Sequence, residues 1–211
     1  RVVTTPFKIA ALISGTGRTV LNIADRIDAQ QLPAQIACVV ASRPDAPGIA
    51  LARQRGLLVH SPPANLNATE RDCWARDVLD PDVIDLVCLC GYLRPFPLTN
   101  PWKGRVINIH PALLPDFGGQ GMYGSHVHEA VLAAGKDVSG CTIHFVNNEY
   151  DTGPIILQRR CSVQEDDTPA TLAARVFALE CEAYPEAIQL IATKKVCLND
   201  KEVEHDPSQI A

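Results

Sequence analysis

Long hydrophobic runs and blocks of like charge are both missing from this sequence of 211 residues. No apolar run approaches the roughly 20 residues that a transmembrane helix needs. The chain has 19 Lys and Arg against 24 Asp and Glu, a net charge of -5, and these charges are scattered. Because nucleic-acid and membrane surfaces are bound by clustered cations, we predict neither kind of partner.

Paired-cysteine motifs are missing as well, although the chain has eight cysteines. No CxxC occurs, and Cys38, Cys88, Cys90 and Cys141 lie in apolar runs, where a free thiol behaves as a small hydrophobic side chain. No second pair accompanies Cys88 and Cys90 at the spacing of a zinc site. We therefore expect reduced thiols, no metal and a cytoplasmic protein.

A complete nucleotide-binding fingerprint is also lacking. Lys8–Ile13 predicts a strand, SGTGRT at 14–19 a Gly-rich turn, and Val20–Ile27 a helix. GxGxxG fails because Val20 stands at its third glycine, and no Gly-Lys-Ser/Thr is present. The helix start and Arg18 still suit a phosphate. The turn thus fits either a mononucleotide or sugar-phosphate site or a βα turn that binds nothing.

The rest of the chain alternates short apolar strands with helices, which is typical of an α/β fold. Val83–Cys90 is nearly all apolar, as expected of a central parallel strand covered on both faces. We predict one domain with a Rossmann-like, open, mostly parallel twisted sheet and helices on both faces. Further strands are predicted at 36–41, 57–60, 105–109, 141–146, 155–160 and 195–198, helices at 48–55, 68–79, 126–134 and 168–191, and a loose tail from 199.

The segment from 105 to 154 carries the groups most suited to catalysis. Asn108 and His110 are two residues apart at the end of a predicted strand, so their side chains should share one face. Asp151 follows the next strand. Asn108 could donate to an oxyanion, His110 could move a proton, and Asp151 could orient the imidazole and raise its pKa. The alternative is a structural histidine and a turn aspartate.

Five segments resemble those of one known family in order and spacing. They are SGTGRT at 14–19, GYLR at 91–94, NIHPALLP at 108–115, HVHEAV at 126–131 and HFVNNEYDTGPIILQ at 144–158. The family is the glycinamide ribonucleotide formyltransferases, which use 10-formyltetrahydrofolate in purine synthesis. The resemblance runs from Lys8 to about Ile191. It implies formyl transfer to the amine of glycinamide ribonucleotide by a monomer or homodimer, with 10-formyltetrahydrofolate as co-substrate.

The resemblance also implies roles for individual residues. Asn108, His110 and Asp151 match the catalytic residues. Residues 8–100 would form a phosphate-binding half, residues 101–198 a folate-binding and catalytic half, and residues 199–211 a tail. The substrate ribonucleotide would contact Gly17, Arg18, Thr19 and Glu180. The folate would contact Arg71, Leu93, Arg94, Pro95, Phe96, Asn108, Asn147, Asn148, Glu149, Tyr150 and Asp151.

Two departures from the family pattern leave alternatives open. Arg18-Thr19 stands where the family commonly has Ser-Asn, so another phosphorylated amine could be the acceptor. GGQGMYG at 118–124 is longer than the common short loop. Hydrolysis of formyltetrahydrofolate is an alternative enzymatic function, although it would not require the phosphate loop. A further hypothesis is that the chain is a metal-binding module and not an enzyme. Its candidate ligands would be His110, His126, His128, His144 and Asp151.

Overall fold

A computed structural model of the chain describes residues 5–199 and 202–205. Within these residues the strands are β1 Phe7–Ile13, β2 Ala34–Ala41, β3 Val59–His60, β4 Leu86–Leu89, β5 Val106–His110, β6 Val138–Phe145, β7 Ile155–Ser162, β8 Val196–Asn199 and β9 Glu202–His205. The helices are α1 Arg18–Asp28, α2 Gly48–Gln54, α3 Ala68–Asp77, α4 Ser125–Ala133 and α5 Pro169–Ala192, with a short 3₁₀ helix at Asn100–Trp102.

The seven-stranded sheet has the order β3-β2-β1-β4-β5-β6-β7. Strand β1 pairs in parallel with β2 and β4, and β2 pairs in parallel with β3. Strands β6 and β7 form an antiparallel pair. The predicted open, mostly parallel, Rossmann-like α/β sheet is therefore confirmed.

The chain divides into two compact units, Arg1–Ile107 and Asn108–Ala211. The boundary falls within β5, whereas the sequence suggested a division near residue 100. Whether the whole chain is one domain stays a prediction. Each unit contributes one group of polar residues to the candidate functional sites.

In the first unit, continuous apolar runs form the buried strands. Residues Ile9 to Ile13 of β1 are fully buried, and β4 is buried along its length. This burial explains why both read as runs without alternation. Strand β4 begins at Leu86, later than predicted, because Asp85 is exposed and its carboxylate accepts a hydrogen bond from the Lys8 N–H at 2.7 Å.

In the second unit, α5 is the longest helix and it packs against β6, β7 and α4. Thr168 caps its start through the Thr171 N–H, and Pro169 occupies the first turn, as the sequence predicts. The helix continues through a buried Pro185. Among residues 5–199 and 202–205, no helix combines the length and the apolar character needed to cross a bilayer.

The prediction for the C-terminal region was partly wrong. The strand expected at 195–198 forms as β8, but it pairs with β9 in a separate two-stranded sheet. Glu202–His205, which was expected to be part of a loose tail, is the partner strand. The four-residue alternation Glu-Val-Glu-His is too short to stand out from a polar tail. Residues 200, 201 and 206–211 of that tail lie outside the described residues.

Candidate active site

The end of β5 brings Asn108 and His110 together with Asp151, as their spacing predicts. Asp151 Oδ2 lies 3.4 Å from His110 Nδ1, and Asp151 Oδ1 lies 3.4 Å from Asn108 Nδ2. The side chains of His110 and Asp151 are 4% and 10% exposed. The carboxylate is thus shared between an imidazole and an amide at a largely buried position.

The hydrogen bonds of His110 identify which ring nitrogen is the base. Nε2 lies 2.7 Å from the carbonyl oxygen of Phe117. A carbonyl can only accept, so Nε2 carries the proton. In the neutral ring, Nδ1 then has a lone pair that faces Asp151 Oδ2. A proton taken up at Nδ1 would be held next to the carboxylate, so Nδ1 is a base with its stabilising charge already in place.

The pKa of His110 is lowered overall, although Asp151 raises it as the sequence predicts. Burial of the ring lowers its pKa, and this effect outweighs the Asp151 carboxylate and the Phe117 carbonyl, which raise it; His144 lowers it further. The predicted effect of Asp151, which raises the His110 pKa, is thus present, but burial outweighs it and the net pKa is lowered. The sequence indicated the carboxylate but could not show that the ring would be almost completely desolvated.

His144 is also a member of this cluster, although the sequence analysis grouped it with Asp151 only as a ligand of the alternative metal-binding module. Its Nδ1 lies 2.9 Å from the Phe145 carbonyl oxygen, so Nδ1 donates and Nε2 is left as an acceptor. The Asn108 amide nitrogen donates to this Nε2 at 3.3 Å. Nε2 also lies 3.6 Å from Asp151 Oδ1. A polar residue in the buried strand β6 was the available signal.

The pKa of Asp151 is lowered, so the side chain is a carboxylate at neutral pH. Burial alone would raise the pKa, but the His144 and His110 rings that face the carboxylate and the Gly119 N–H together lower it. The Gly119 N–H donates to Oδ2 at 3.0 Å. Asp151 itself has a positive φ of 56°, a conformation that Asp tolerates better than most residues.

The glycine-rich loop after β5 approaches Asp151 closely. A Cβ added at Gly118 would lie 2.5 Å from Leu114 Cδ2 and 3.2 Å from Asp151 Cβ. The segment 110–115 is called the ledge. Only glycine at position 118 therefore fits between the ledge and the Asp151 side chain without displacing one of them. The sequence indicated a loop here but gave no sign that its backbone holds the Asp151 carboxylate.

The segment that follows His110 is held by a buried threonine of β6 and a half-buried glutamine of β7. Thr142 Oγ1 donates to the Ala112 carbonyl at 2.7 Å and accepts from the Leu114 N–H at 3.1 Å. Gln158 Nε2 donates to the Leu114 carbonyl at 3.0 Å and to Thr142 Oγ1 at 2.9 Å. These bonds fix the path of the chain immediately after the imidazole.

The two histidines of α4 have different environments. His126 is exposed and its ring is 5.3 Å from that of Tyr123. His128 is buried, and its pKa is lowered by burial and by the charge of His110. Among residues 5–199 and 202–205, no group of three His, Cys, Asp or Glu has the arrangement of a metal site.

The Gly-rich turn in the first unit joins β1 to α1. Gly17 precedes α1 with φ 76°, and the first turn of the helix has no acidic residue. Gly15 and Arg18 are exposed. The turn is supported by Gly48, whose N–H donates to the Gly15 carbonyl at 2.9 Å. A Cβ at Gly48 would lie 2.8 Å from that carbonyl oxygen, a close approach that the sequence did not reveal.

In the segment 93–96, which is predicted to contact folate, the Arg94 side chain is fixed by an ion pair. Arg94 forms a bidentate pair with Asp72, with Nε and Nη2 at 2.9 and 2.7 Å from the two carboxylate oxygens. Leu93 is 48% exposed, whereas Phe96 is buried. Arg71 is tied locally, since its Nε donates to the Leu66 carbonyl at 3.0 Å.

The remaining predicted site residues lie in the second unit. Asn147 Oδ1 accepts from the Glu149 N–H at 2.9 Å and the Thr152 hydroxyl at 3.0 Å, and so shapes the turn before Asp151. Tyr150 is 44% exposed, and Asn148 is also exposed. Glu180 lies on α5, where its charge, after burial, helps to raise the pKa of Cys141 to about 12.

Comparisons with known proteins show the family to which the chain belongs. A family model described as formyl transferase matches residues 7–188. The chain is 38% identical over 197 residues to the human trifunctional purine biosynthetic protein adenosine-3, covering 92% of this chain and 19% of that protein. It is 34% identical to phosphoribosylglycinamide formyltransferase of Haemophilus influenzae, covering 92% and 91% of the two chains.

A solved structure shows the same fold. The chain is 36% identical to glycinamide ribonucleotide transformylase 1 from Symbiobacterium toebii, with a TM-score of 0.82 over 95% of this chain and 94% of that one. The chain thus spans nearly all of two bacterial relatives but only about a fifth of the human protein. With the family model matching most of its length, the chain belongs to the formyl transferase family.

Proposed function

We propose that the chain transfers the formyl group of 10-formyltetrahydrofolate to the amine of glycinamide ribonucleotide, without a covalent enzyme intermediate. The observation that carries this proposal is the Asp151 carboxylate, which faces both His110 Nδ1 and the Asn108 amide at 3.4 Å. The cluster offers a base and an oxyanion donor. The same residues stand in the segments shared with the family.

His110 Nδ1 is the proton acceptor in this proposal. The amine nitrogen attacks the formyl carbon, a C–N bond forms, and the carbonyl electrons move to oxygen. The amine proton passes to Nδ1, directly or through a water held by Asp151, and the charged ring then faces Oδ2. When the intermediate collapses, the bond from carbon to N10 breaks and N10 takes the proton.

Asn108 supplies the oxyanion donor. Its amide nitrogen is engaged by His144 and Asp151 at 3.3 and 3.4 Å, which is at the long end for such bonds. A developing oxyanion is a better acceptor than either, so an amide hydrogen can turn to it as charge develops. A single donor of this kind typically contributes about 2.7–4 kcal/mol to the barrier.

Substrate binding is assigned to residues outside the cluster. In the first unit, the start of α1 with Gly17, Arg18 and Thr19 would hold the phosphate, because helix starts offer free N–H groups and a positive dipole end. Glu180 would contact the glycinamide portion. The folate would contact residues 93–96 and 147–150 and, less securely, Arg71. None of the eight cysteines, all of which lie within residues 5–199, forms a disulfide. We infer a reducing compartment such as the cytoplasm, where thiols stay reduced.

The test is formyl transfer from 10-formyltetrahydrofolate, followed by absorbance of the folate product, with and without glycinamide ribonucleotide. We expect product only when the amine is present. Equal product without it would indicate hydrolysis, and no product in either case would contradict the proposal. Asp151→Asn protein prepared in parallel controls for contaminating enzyme.

A further inference from the structure

Ser14 occupies a junction between two functional segments of the first unit. It lies at the end of β1, is 6% exposed, and directly precedes the Gly-rich turn. Its N–H donates to the Gly91 carbonyl at 3.1 Å. Its hydroxyl accepts from the Leu93 N–H at 2.9 Å and lies 2.7 Å from the hydroxyl of Ser42. One small buried residue therefore makes two hydrogen bonds to the segment 91–94.

The segment 91–94 is held at its other end by Asp72. This carboxylate is 9% exposed and pairs with Arg94 in bidentate geometry. Between the two anchors, the Leu93 side chain is 48% exposed, although its N–H is bonded to Ser14. The backbone of the segment is thus fixed while an apolar side chain remains available.

The Gly-rich turn is fixed by neighbours of the same serine. The Gly48 N–H donates to the Gly15 carbonyl, and the Arg43 side chain donates to the Ser14 carbonyl at 3.4 Å. Ser42 extends from β2, where its N–H donates to the Ile13 carbonyl at 2.9 Å. A displacement of the turn must either carry Ser14 with it or distort these bonds.

We propose that Ser14 is a positioning residue that couples the Gly-rich turn to the segment 91–94, so that ligand binding at one changes affinity at the other. This inference rests on the proposed function, which assigns phosphate to the turn and folate to the segment. The bond from the Leu93 N–H to the Ser14 hydroxyl is part-buried, and an N–H that loses its partner where water is partly excluded is costly, so the Leu93 N–H follows the Ser14 hydroxyl. Pre-ordering of both segments by the first ligand would make the second bind more tightly.

The test measures coupling, not activity. Glycinamide ribonucleotide is titrated by calorimetry into the protein alone and into the protein saturated with tetrahydrofolate, which has no formyl group to transfer. The coupling ratio is the affinity for one ligand with the other bound, divided by its affinity for the protein alone. Coupling between ligands is reciprocal, so the reverse titration must give the same coupling ratio. We expect affinity to rise about fivefold or more in wild-type protein, within the usual range of such couplings.

Ser14→Ala should reduce this ratio to about one. Ser42→Ala is the matched control, because it removes a hydroxyl from the same pair but leaves the bond from the Leu93 N–H to Ser14. It should retain the ratio. If the role of Ser14 were purely structural, Ser14→Ala would lower the affinity measured with and without the other ligand by the same factor. A coupling ratio in Ser14→Ala equal to that of wild-type protein would therefore overturn the inference.

A measurement on wild-type protein keeps the inference testable if Ser14→Ala does not fold. Glycinamide ribonucleotide alone should slow hydrogen exchange of the Leu93 amide, and unchanged exchange with the ligand bound would overturn the inference. If wild-type protein binds neither ligand, the proposed function fails. If it binds both without any coupling, only the role of Ser14 fails.

Discussion

The Gly-rich turn at 14–19 and the cluster around Asp151 differ in burial and in the groups that they offer to their proposed ligands. The turn is largely exposed and offers backbone N–H groups at a helix start, supported by the close approach of Gly48. The cluster is buried and offers side chains whose pKa values are shifted. A backbone site depends on its glycines and tolerates exchanges of exposed side chains, whereas a buried titrating site depends on each member.

The largest effect is expected from Asp151→Asn. Asn keeps the side-chain size and tolerates the positive φ of 56° at this position, but it removes the charge facing His110 and His144. Turnover should fall by about 10²–10³, the usual cost of losing one electrostatic contributor.

Steady-state kinetics and thermal unfolding would check this prediction. Asp116→Asn is the matched control, because Asp116 is exposed on the same loop and makes only a 3.7 Å ion pair with Lys136. Near-normal turnover in Asp151→Asn would remove Asp151 from the mechanism.

A smaller loss is expected when the packing beneath the carboxylate is disturbed. In Gly118→Ala, the added methyl would displace the flexible end of Leu114 and lie 3.2 Å from the Asp151 Cβ, a contact that pushes the Asp151 side chain by a few tenths of an ångström. Misplacement by about 1 Å can cost up to about 100-fold in rate. The smaller displacement here should lower kcat by up to about 10-fold, with little change in KM. Gln120→Ala, at an exposed position nearby, should leave kcat unchanged.

In the first unit, loss of a charge pair should act on binding. Asp72→Asn weakens the anchor of Arg94, which is 40% exposed, so solvent compensates part of the loss. We expect KM for the folate to rise about fivefold, with a smaller change in kcat. Asp45→Asn, which breaks an exposed 3.3 Å pair with Arg43, is the control and should leave both constants alone. A kcat effect larger than the KM effect would contradict a binding role.

The smallest effect is expected at the turn. Replacing Arg18 and Thr19 together by Ser and Asn, the pair common in the family, keeps the backbone donors and removes one exposed charge. KM for glycinamide ribonucleotide should change by only about two- to fivefold, as for other charges at helix ends. A loss of more than a hundredfold would show that the Arg18 side chain, and not the backbone, holds the phosphate.

The sequence was sufficient wherever function follows from local pattern. The apolar run and glycines at 8–19 predicted a strand, turn and helix, and the spacing of Asn108 and His110 placed both on one face. It was insufficient where distant parts of the chain meet. Nothing local indicates that Gly119 donates to Asp151, that Asp72 pairs with Arg94, or that Thr142 holds the ledge.

The pKa of His110 shows why the limit is physical. Its direction is set by a balance between burial, which lowers it, and Asp151, which raises it. The sequence names the carboxylate but not the extent of burial. The neutral ring is therefore the form present at pH 7. In the proposed reaction, the proton that His110 takes up would enter a site where burial disfavours the charge and only Asp151 favours it.

The central claim is that Asp151 supports the charged form of a buried, otherwise neutral His110. NMR titration of the His110 ring in wild-type protein and in Asp151→Asn tests it directly. The account predicts a pKa below the ordinary 6.5 in wild-type protein and a still lower one in the variant, because the carboxylate raises it. A wild-type pKa at or above 6.5, or a pKa that rises when Asp151 is replaced, would contradict the account.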